Sequence, residues 1–391
     1  VAQTEPALSI AWELLGEQRG NVQSYQLDTS FTSPTDSFSF ELWDQDPAKL
    51  TGLDLQPVTL SLHGHQQLKG RVDVTECGGS DGSTIRCSGR DYIADLAECD
   101  VDPTVKLTKD MTLSAALLLA AGPCGIDTVV GDDEVMLRNI RTGVSIGGAQ
   151  PGADFKQAKL EDYKPDDNER VLAFCQSLVA RHGATVQPGA DRNQLAVAAP
   201  NYQQGAMCEL RRLRDPVKSA SNTIKNSSAR RDLSGFPSFV LFVGKQGRVG
   251  KTRNPMKVEQ PFAFSDGALD KHITDQLVTI ERQLPADGPK SAPGLYRLFY
   301  RRDSDSKNEA QLMKAMLRAV AERFKDTLLY QCEVQGHLAP DGGVYAPDTM
   351  IKVHDEVCNV FETLWVEAVS HRYDSGPSTA LTMRRVSSYV Y

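Results

Sequence analysis

No two cysteines of this sequence are spaced as CxxC. The eight present, Cys77, Cys87, Cys99, Cys124, Cys175, Cys208, Cys332 and Cys358, are scattered, so neither a zinc site nor a disulfide framework has its spacing. Reduced, mostly buried thiols are expected, a usage that fits assembly in a cytoplasm. Long apolar runs are missing too. The longest, LSAALLLAAG at residues 113–122, is too short to span a bilayer and reads as a buried helix. No charged, apolar and small-residue series of the signal-peptide kind precedes the first strands. Excess positive charge is also absent: 43 Lys and Arg face 51 Asp and Glu, a formal net charge of -8. That balance argues against holding nucleic acid by neutralising its phosphates, although an acidic wall suits a path that nucleic acid slides through. The seven histidines are dispersed, none in HExxH and none beside an evident nucleophile. Catalytic, cofactor-binding and metal residues are therefore expected to be absent, and membrane insertion is not expected.

Two stretches imitate chemistry. Residues 240–252 read VLFVGKQGRVGKT, but the phosphate-loop pattern GxxxxGK[ST] needs a glycine where Lys245 stands, and Gly244 comes one residue early. Thr252 is followed by Arg253, Asn254 and Pro255. The proline disfavours helix in the residue before it, so no helix N-terminus points at an anion. A basic surface loop is expected, with Lys245, Arg248 and Lys251 available for protein contact. In SGRD, Arg90 stands beside Asp91, with Asp95 one helical turn on. An enzyme would use Asp91 and Asp95 as an acid–base pair; an Arg–Asp pair capping a strand end accounts for the same residues without a pocket.

What is abundant is strand pattern. FSFELW sets Phe38, Phe40 and Leu42 against polar partners, and PVTLSLHG does the same with Val58, Leu60 and Leu62. Period-two alternation marks strands with one buried face, so residues 1–100 read as a small barrel or sandwich. From 101 to 205 the pattern turns α+β. Thr112 caps a helix ending before Gly122 and Pro123, Asp166 and Glu169 open another that Gly183 stops, and ATVQ and QLAVAA form a hairpin. Residues 206–252 and 294–391 return to strands, interrupted by a long helix. That helix runs from a Ser306–Glu309 capping box along Leu312, Met316, Val320 and Phe324. Residues 253–293, rich in charge, glycine and proline, read as a protruding insertion with one helix near Ala268–Arg282.

PVTLSLHG with VDVTECGGSDGSTIRCSGR is echoed by PDTMIKVHD with LWVEAVSHRYDSGPSTALTMRR. Each runs through a strand to a histidine (His63, His354), a valine-rich strand, a turn with Gly, Asp and Ser, and a further alternating strand. The echo implies two related barrels around an α+β module. A cyclic trimer of such chains would carry six similar barrels, matching a six-fold partner on one side and a three-fold partner on the other.

Four segments carry a resemblance: SGRDYIADLAECD, DDNERVLAFCQSLVARHGATV, LYRLFYRRDSDSKNEAQLMKAMLRAVAERF, and the whole stretch from QGHLAPDGG to RRVSSY. In matching order they resemble the baseplate hub proteins of contractile-tailed phages, in particular Mu-like tail proteins. The region from Arg253 to Pro293 does not follow that family. The resemblance implies a mainly β fold with two tube-type β-barrel domains plus smaller α+β domains. It implies a homotrimer between the hexameric tail tube and the trimeric spike, ringed by other baseplate proteins, with DNA passing through the lumen unbound. It is a fold shared with type VI secretion spikes and tailocin hubs. The implied location is the virion tail, after assembly in the host cytoplasm, and the spike is expected to be a separate partner. A tailocin or other injection-machine hub is the alternative; a P-loop-like NTPase and a cell-wall hydrolase are distant ones.

Overall fold

The computed structural model describes residues 8–12, 21–33, 35–44, 52–78, 83–108, 111–131, 165, 168–180, 184–202, 204–215, 222–232, 234, 239–244, 247–249, 252–254, 257–261, 298–303 and 309–386. Its strands and helices are mainly β with α+β modules, divided between two compact units. The larger, Val1–Ser228 with Tyr330–Met383, holds most of a twelve-stranded sheet and an α+β module; the smaller is Ala229–Leu329 with Arg384–Tyr391.

The first strands are β1 (Leu8–Trp12), β2 (Asn21–Ser30), β3 (Ser37–Trp43), β4 (Pro57–Leu62), β5 (His65–Gly78) and β6 (Thr84–Asp91). Alternation places them as the sequence requires: Phe38, Phe40 and Leu42 of β3 and Val58, Leu60 and Leu62 of β4 are buried, and polar residues between them face outward. Burying each such side chain contributes roughly 1.5–3 kcal/mol, and that gain is what fixes the register. The turn between β4 and β5 is closed by His63 and Gly64, both with positive φ, the backbone that a two-residue hairpin of the strands' own twist demands.

After β6 come α1 (Ala94–Glu98), α2 (Leu113–Ala121), β7 (Thr128–Val130), α3 (Val171–Ala180), β8 (Thr185–Pro188) and β9 (Gln194–Ala198). Thr112 caps α2 by accepting from the Ala115 N–H, and β8 pairs antiparallel with β9 as the expected hairpin. The opening of α3 differs from expectation. The Glu169 carbonyl accepts from Val101 N–H and the Val171 N–H donates to Cys99. The backbone at 169–171 is thus held to residues 99–101, and the helix starts only at Val171; Asp166 and Gly183 lie outside the described residues. Phe174, Cys175 and Leu178 join the module's core with Leu113, Leu117 and Val186.

The later strands are β10 (Ala206–Arg212), β11 (Ile224–Arg231), β12 (Phe239–Gly244), β13 (Gly247–Val249), β14 (Thr252–Asn254), β15 (Lys257–Pro261) and β16 (Leu298–Asp303). Then follow α4 (Glu309–Lys325), β17 (Leu328–Gln335), β18 (Met350–Asp355), β19 (Val360–Tyr373) and β20 (Pro377–Arg384). In the smaller unit β12 lies between β15, antiparallel, and β16, parallel. There Leu312, Met316 and Val320, one face of α4, pack with Phe242. The helix expected near Ala268–Arg282 and the capping Ser306 lie outside the described residues.

The sequence echo is a structural repeat. Along the great sheet the order β4-β5-β6-β3-β2 recurs as β18-β19-β20-β17-β11, and in chain order the five strands correspond one to one. The first three of each order, β4-β5-β6 and β18-β19-β20, even repeat their lengths of 6, 14 and 8 residues. A flanking strand lies beside β4 and β18 in each set, β1 antiparallel in the first and β10 parallel in the second. The two sets are joined where β2 pairs with the outer half of β19, from Ala368↔Ser30 to Tyr373↔Tyr25.

Candidate functional site

Residues that imitate catalysis serve as structure. A phosphate loop needs a helix after Thr252, and the chain there forms β14, paired with β13 through Arg248↔Arg253; Lys245 and Lys251 lie outside the described residues. Arg90 does not pair with its neighbour Asp91. Its guanidinium bonds Asp73 at 2.8 Å and Glu98 at 2.6 Å, while Arg71 bonds Asp73 at 3.1 Å and Asp95 at 2.7 Å. Hydrogen bonds to Asp73 and Glu98 push the Arg90 pKa up. Strand alternation is the reason for the swap: Arg90 faces outward from β6 and Asp91 inward. Asp91 is buried and accepts from the Asp36 N–H at 2.8 Å and the Ala94 N–H at 3.2 Å, so it ties the start of α1 to the β2–β3 loop. Both carboxylates of the supposed acid–base pair are thus occupied by structural donors. Among the described residues none of the eight cysteines forms a disulfide, no group of three His, Cys, Asp or Glu is placed to hold a metal, and no helix is long and apolar enough to cross a membrane.

The repeat brings out a different kind of site, a pair of sheet edges. In the second set, the outer half of β19 is covered by β2. In the first set the corresponding stretch, Asp73–Gly78 of β5, pairs with β6 on one side, and its pairing with β4 stops at Arg71. Among the described residues no strand lies along the other side. Val74 is 50% exposed there, and Glu76, Cys77 and Gly78 are exposed too. The strand that corresponds to β2 is β11, whose only strand partner among the described residues is β17. Each chain thus repeats the two halves of its own β2–β19 joint at its two ends, unjoined.

The outward face of the joined sheet is polar, with serines set between longer amide and charged side chains. Rows run across the strands as Ser88–Ser39–Gln26–Arg372 and Arg90–Ser37–Asp28–Ser370. Over the joint lies an open trough of about 400 Å³ lined by Asp28, Ser30, Ser37, Ser370, Arg372 and Thr382. Asp28 accepts from the neighbouring Gln26 at 2.7 Å, and Arg372 donates to Ser370 at 3.0 Å. The trough carries hydroxyls, and its two charged groups, Asp28 and Arg372, are each held by a neutral neighbour.

On its buried face the joint holds a polar relay. Tyr25 of β2 lies 2.7 Å from His337 Nε2, and His337 Nδ1 lies 3.0 Å from Thr379 Oγ1. Thr379 Oγ1 is 3.2 Å from His371 Nδ1, and His371 Nε2 is 3.0 Å from the Tyr345 carbonyl. Both imidazoles are at most 1% exposed.

No family model and no curated protein sequence matches this chain. Solved structures do. A tail protein from Neisseria meningitidis MC58 is 19% identical with a TM-score of 0.67, and 97% of each chain is covered. The 43 kDa tail protein of prophage MuSo2 from Shewanella oneidensis is 15% identical with a TM-score of 0.65, covering 97% of this chain and 98% of that one. An E. coli component of the type VI secretion system, itself structurally similar to T4 tail proteins gp27 and gp5, is 9% identical with a TM-score of 0.52, covering 97% and 78%. The chain has the fold of phage tail proteins, over nearly its whole length.

Proposed function

We propose that the chain is a structural, non-enzymatic subunit of a trimeric baseplate hub, joining a six-fold tail tube to a three-fold spike. The observation that carries this reading is the pair of unjoined edges. If β11 of one copy adds to Asp73–Gly78 of the next as β2 adds to β19 within a chain, the contact is head-to-tail and generates a ring. Eight strands of each copy, β5-β6-β3-β2-β19-β20-β17-β11, then lie on one continuous path. Three copies give about 24 strands, which at about 4.8 Å spacing and about 40° tilt close at a diameter of roughly 50 Å. Such a wall has no free edge. Its inner face would be these polar rows, in which serines separate the charges and Arg90 is paired with Asp73 and Glu98, so that a passing DNA meets few unpaired cations.

In this reading the domain bounds are 1–100 and 206–252 with 294–391 for the tube-like domains, 101–205 for the α+β domain, and 253–293 for an inserted segment. The hub sits in the virion tail with the tube, spike and surrounding baseplate proteins as partners, after assembly in the host cytoplasm. The basic loop with Lys245, Arg248 and Lys251 faces an acidic partner or the neighbouring copy. Reversing the charges of Arg248 and Lys251 together is expected to lower particle assembly, scored by electron microscopy, without altering the subunit's melting temperature.

The ring is tested on the purified chain. Ser228→Pro removes one N–H from β11 and bends the edge. Light scattering is expected to report a trimer for the native chain and a folded monomer, by circular dichroism, for the variant. A native chain that stays monomeric at tens of micromolar and does not form a three-fold ring in assembled particles would falsify the hub reading.

A further inference from the structure

The relay of Tyr25, His337, Thr379 and His371 has more order than a buried polar cluster needs. A carbonyl only accepts, so the hydrogen between His371 and Tyr345 belongs to His371 Nε2. A neutral His371 then presents a bare Nδ1, which accepts the Thr379 hydroxyl hydrogen. The Thr379 oxygen accepts from His337 Nδ1–H, and the bare His337 Nε2 accepts the Tyr25 O–H. With both rings uncharged, every group is thus satisfied in one direction. A second acceptor stands ready, since the Gly336 carbonyl is 2.7 Å from Thr379 Oγ1.

The relay also sits where the two repeats meet. Tyr25 belongs to β2 and stacks on Tyr373 of β19, centroids 5.7 Å apart, while His371 is paired with Leu27 across the joint. His337 and Tyr345 are the two ends of one loop, closed by the Leu338↔Val344 bridge and the Tyr345 N–H to His337 carbonyl bond. Val344 of that loop is fully buried in the core of the first repeat, with Leu42 and Val58. The loop is a clasp: it starts from β17 of the second repeat and inserts into the first.

We propose that this relay is an acid-sensitive lock, which holds the clasp and the β2–β19 joint while both imidazoles are neutral and releases them when protons arrive. A proton on His371 Nδ1 turns an acceptor into a donor and sends the Thr379 hydrogen to Gly336. A proton on His337 Nε2 leaves the Tyr25 O–H without its acceptor. The two rings are 5.2 Å apart, and His63, whose own neighbour is His65, brings a third imidazole within 6.2 Å of His337. The other titratable groups around them are Tyr25, Tyr373 and Tyr345, with Cys208, Cys332 and Asp341 acting on Tyr345. Among the described residues no carboxylate hydrogen-bonds either ring.

Burial, reinforced by His63, pushes His337 down to about 4, and burial with His337 pushes His371 to about 3. Both values lie below the ordinary imidazole range near 6.5. The stability that the neutral relay contributes is therefore complete above about pH 6.5 and is lost as pH falls towards 4. The lock is independent of the ring proposed above and operates within a single chain.

Hydrogen exchange followed by mass spectrometry on the full chain tests it. Between pH 7 and pH 4.5, after correction for intrinsic rates, peptides over residues 336–346 are expected to lose protection about tenfold or more. Peptides over 57–72 should keep theirs. In His337→Gln, whose amide can still accept from Tyr25 and donate to Thr379 without titrating, the acid response of the clasp should fall by about half, the share of His371 remaining. Clasp protection unchanged at pH 4.5 in the native chain, or an equal acid loss in His337→Gln, overturns the proposal. Should that variant not fold, imidazole nitrogen spectra of the native chain decide. Nδ1–H on His337 and Nε2–H on His371, untitrated down to pH 5, support the lock, and titration of either near 6.5 overturns it.

Discussion

Gly89→Ala is expected to cost more than about 3 kcal/mol, enough to leave the first repeat largely unfolded at 37 °C in a protein of ordinary stability. A Cβ at Gly89 would lie 1.9 Å from the Arg71 carbonyl oxygen and 2.6 Å from the Phe38 ring, and one at Gly70 would lie 2.0 Å from the Arg90 carbonyl. The obstacle in each case is backbone, which cannot swing aside as a flexible side chain does. The cause is local: the register of β5 against β6 shifts between Val72 and Val74, and the bulge presses the two strands together where Val72 faces Gly89. Gly122→Ala is the matched comparison, since its added Cβ meets nothing within 4 Å and its φ of -55° is helical. That change should move stability by less than about 1 kcal/mol. Denaturant melts of the two variants beside the native chain check both values. A Gly89→Ala protein that melts with Gly122→Ala would mean that the strands are not in this close approach.

The glycine of SGRD is visible in the sequence, whereas its reason is not, because the clash comes from Arg71 and Phe38 on other strands. The same division runs through the molecule. Alternation in FSFELW and PVTLSLHG, and the four-residue stripe from Leu312 to Phe324, are local patterns whose buried faces the sequence already displays. The pairing of β2 with β19 joins Tyr25 to Tyr373, and no local pattern specifies so distant a partner. What the sequence did carry was the echo between residues 57–90 and 347–385. That echo is the signal from which the two unjoined edges could have been found. The relay was harder to see: His337 and His371 look dispersed because Thr379 and the β17–β18 loop bring them together only in three dimensions. Arg90 shows the opposite failure, where adjacency in sequence implied a pair with Asp91 that strand alternation forbids.

Asp355→Ala is expected to be nearly as damaging, at about 3–5 kcal/mol, because it empties a buried carboxylate of four donors. Asp355 is fully buried at the end of β18. One oxygen accepts from the Tyr330 hydroxyl at 2.7 Å and from the Ser227 hydroxyl, the other from the N–H groups of Val357 and Cys358 at 2.8 and 2.9 Å. Ser227 in turn accepts from Arg212, so β10, β11, β17 and the β18–β19 turn all converge on one side chain. Burial alone would raise the Asp355 pKa, but the bonds from Ser227, Cys358, Tyr330 and Val357 outweigh it and hold the group below the usual carboxylate range. Its contribution is therefore present above about pH 4 and lost below, whereas the histidine relay already fails on the way down from pH 6.5. Asp355→Asn should recover little, since its amide N–H₂ would face donors, while Tyr330→Phe removes one donor and should cost only about 1 kcal/mol. Thermal melts at pH 7 give the order native, Tyr330→Phe, then Asp355→Asn and Asp355→Ala together. Because Ser227 lies on β11, one edge of the trimer proposed above, the two Asp355 variants should also lose that proposed trimer at protein concentrations where Tyr330→Phe keeps it. Loss of stability with the trimer intact would separate the anchor from the edge and confine Asp355 to the fold of one chain.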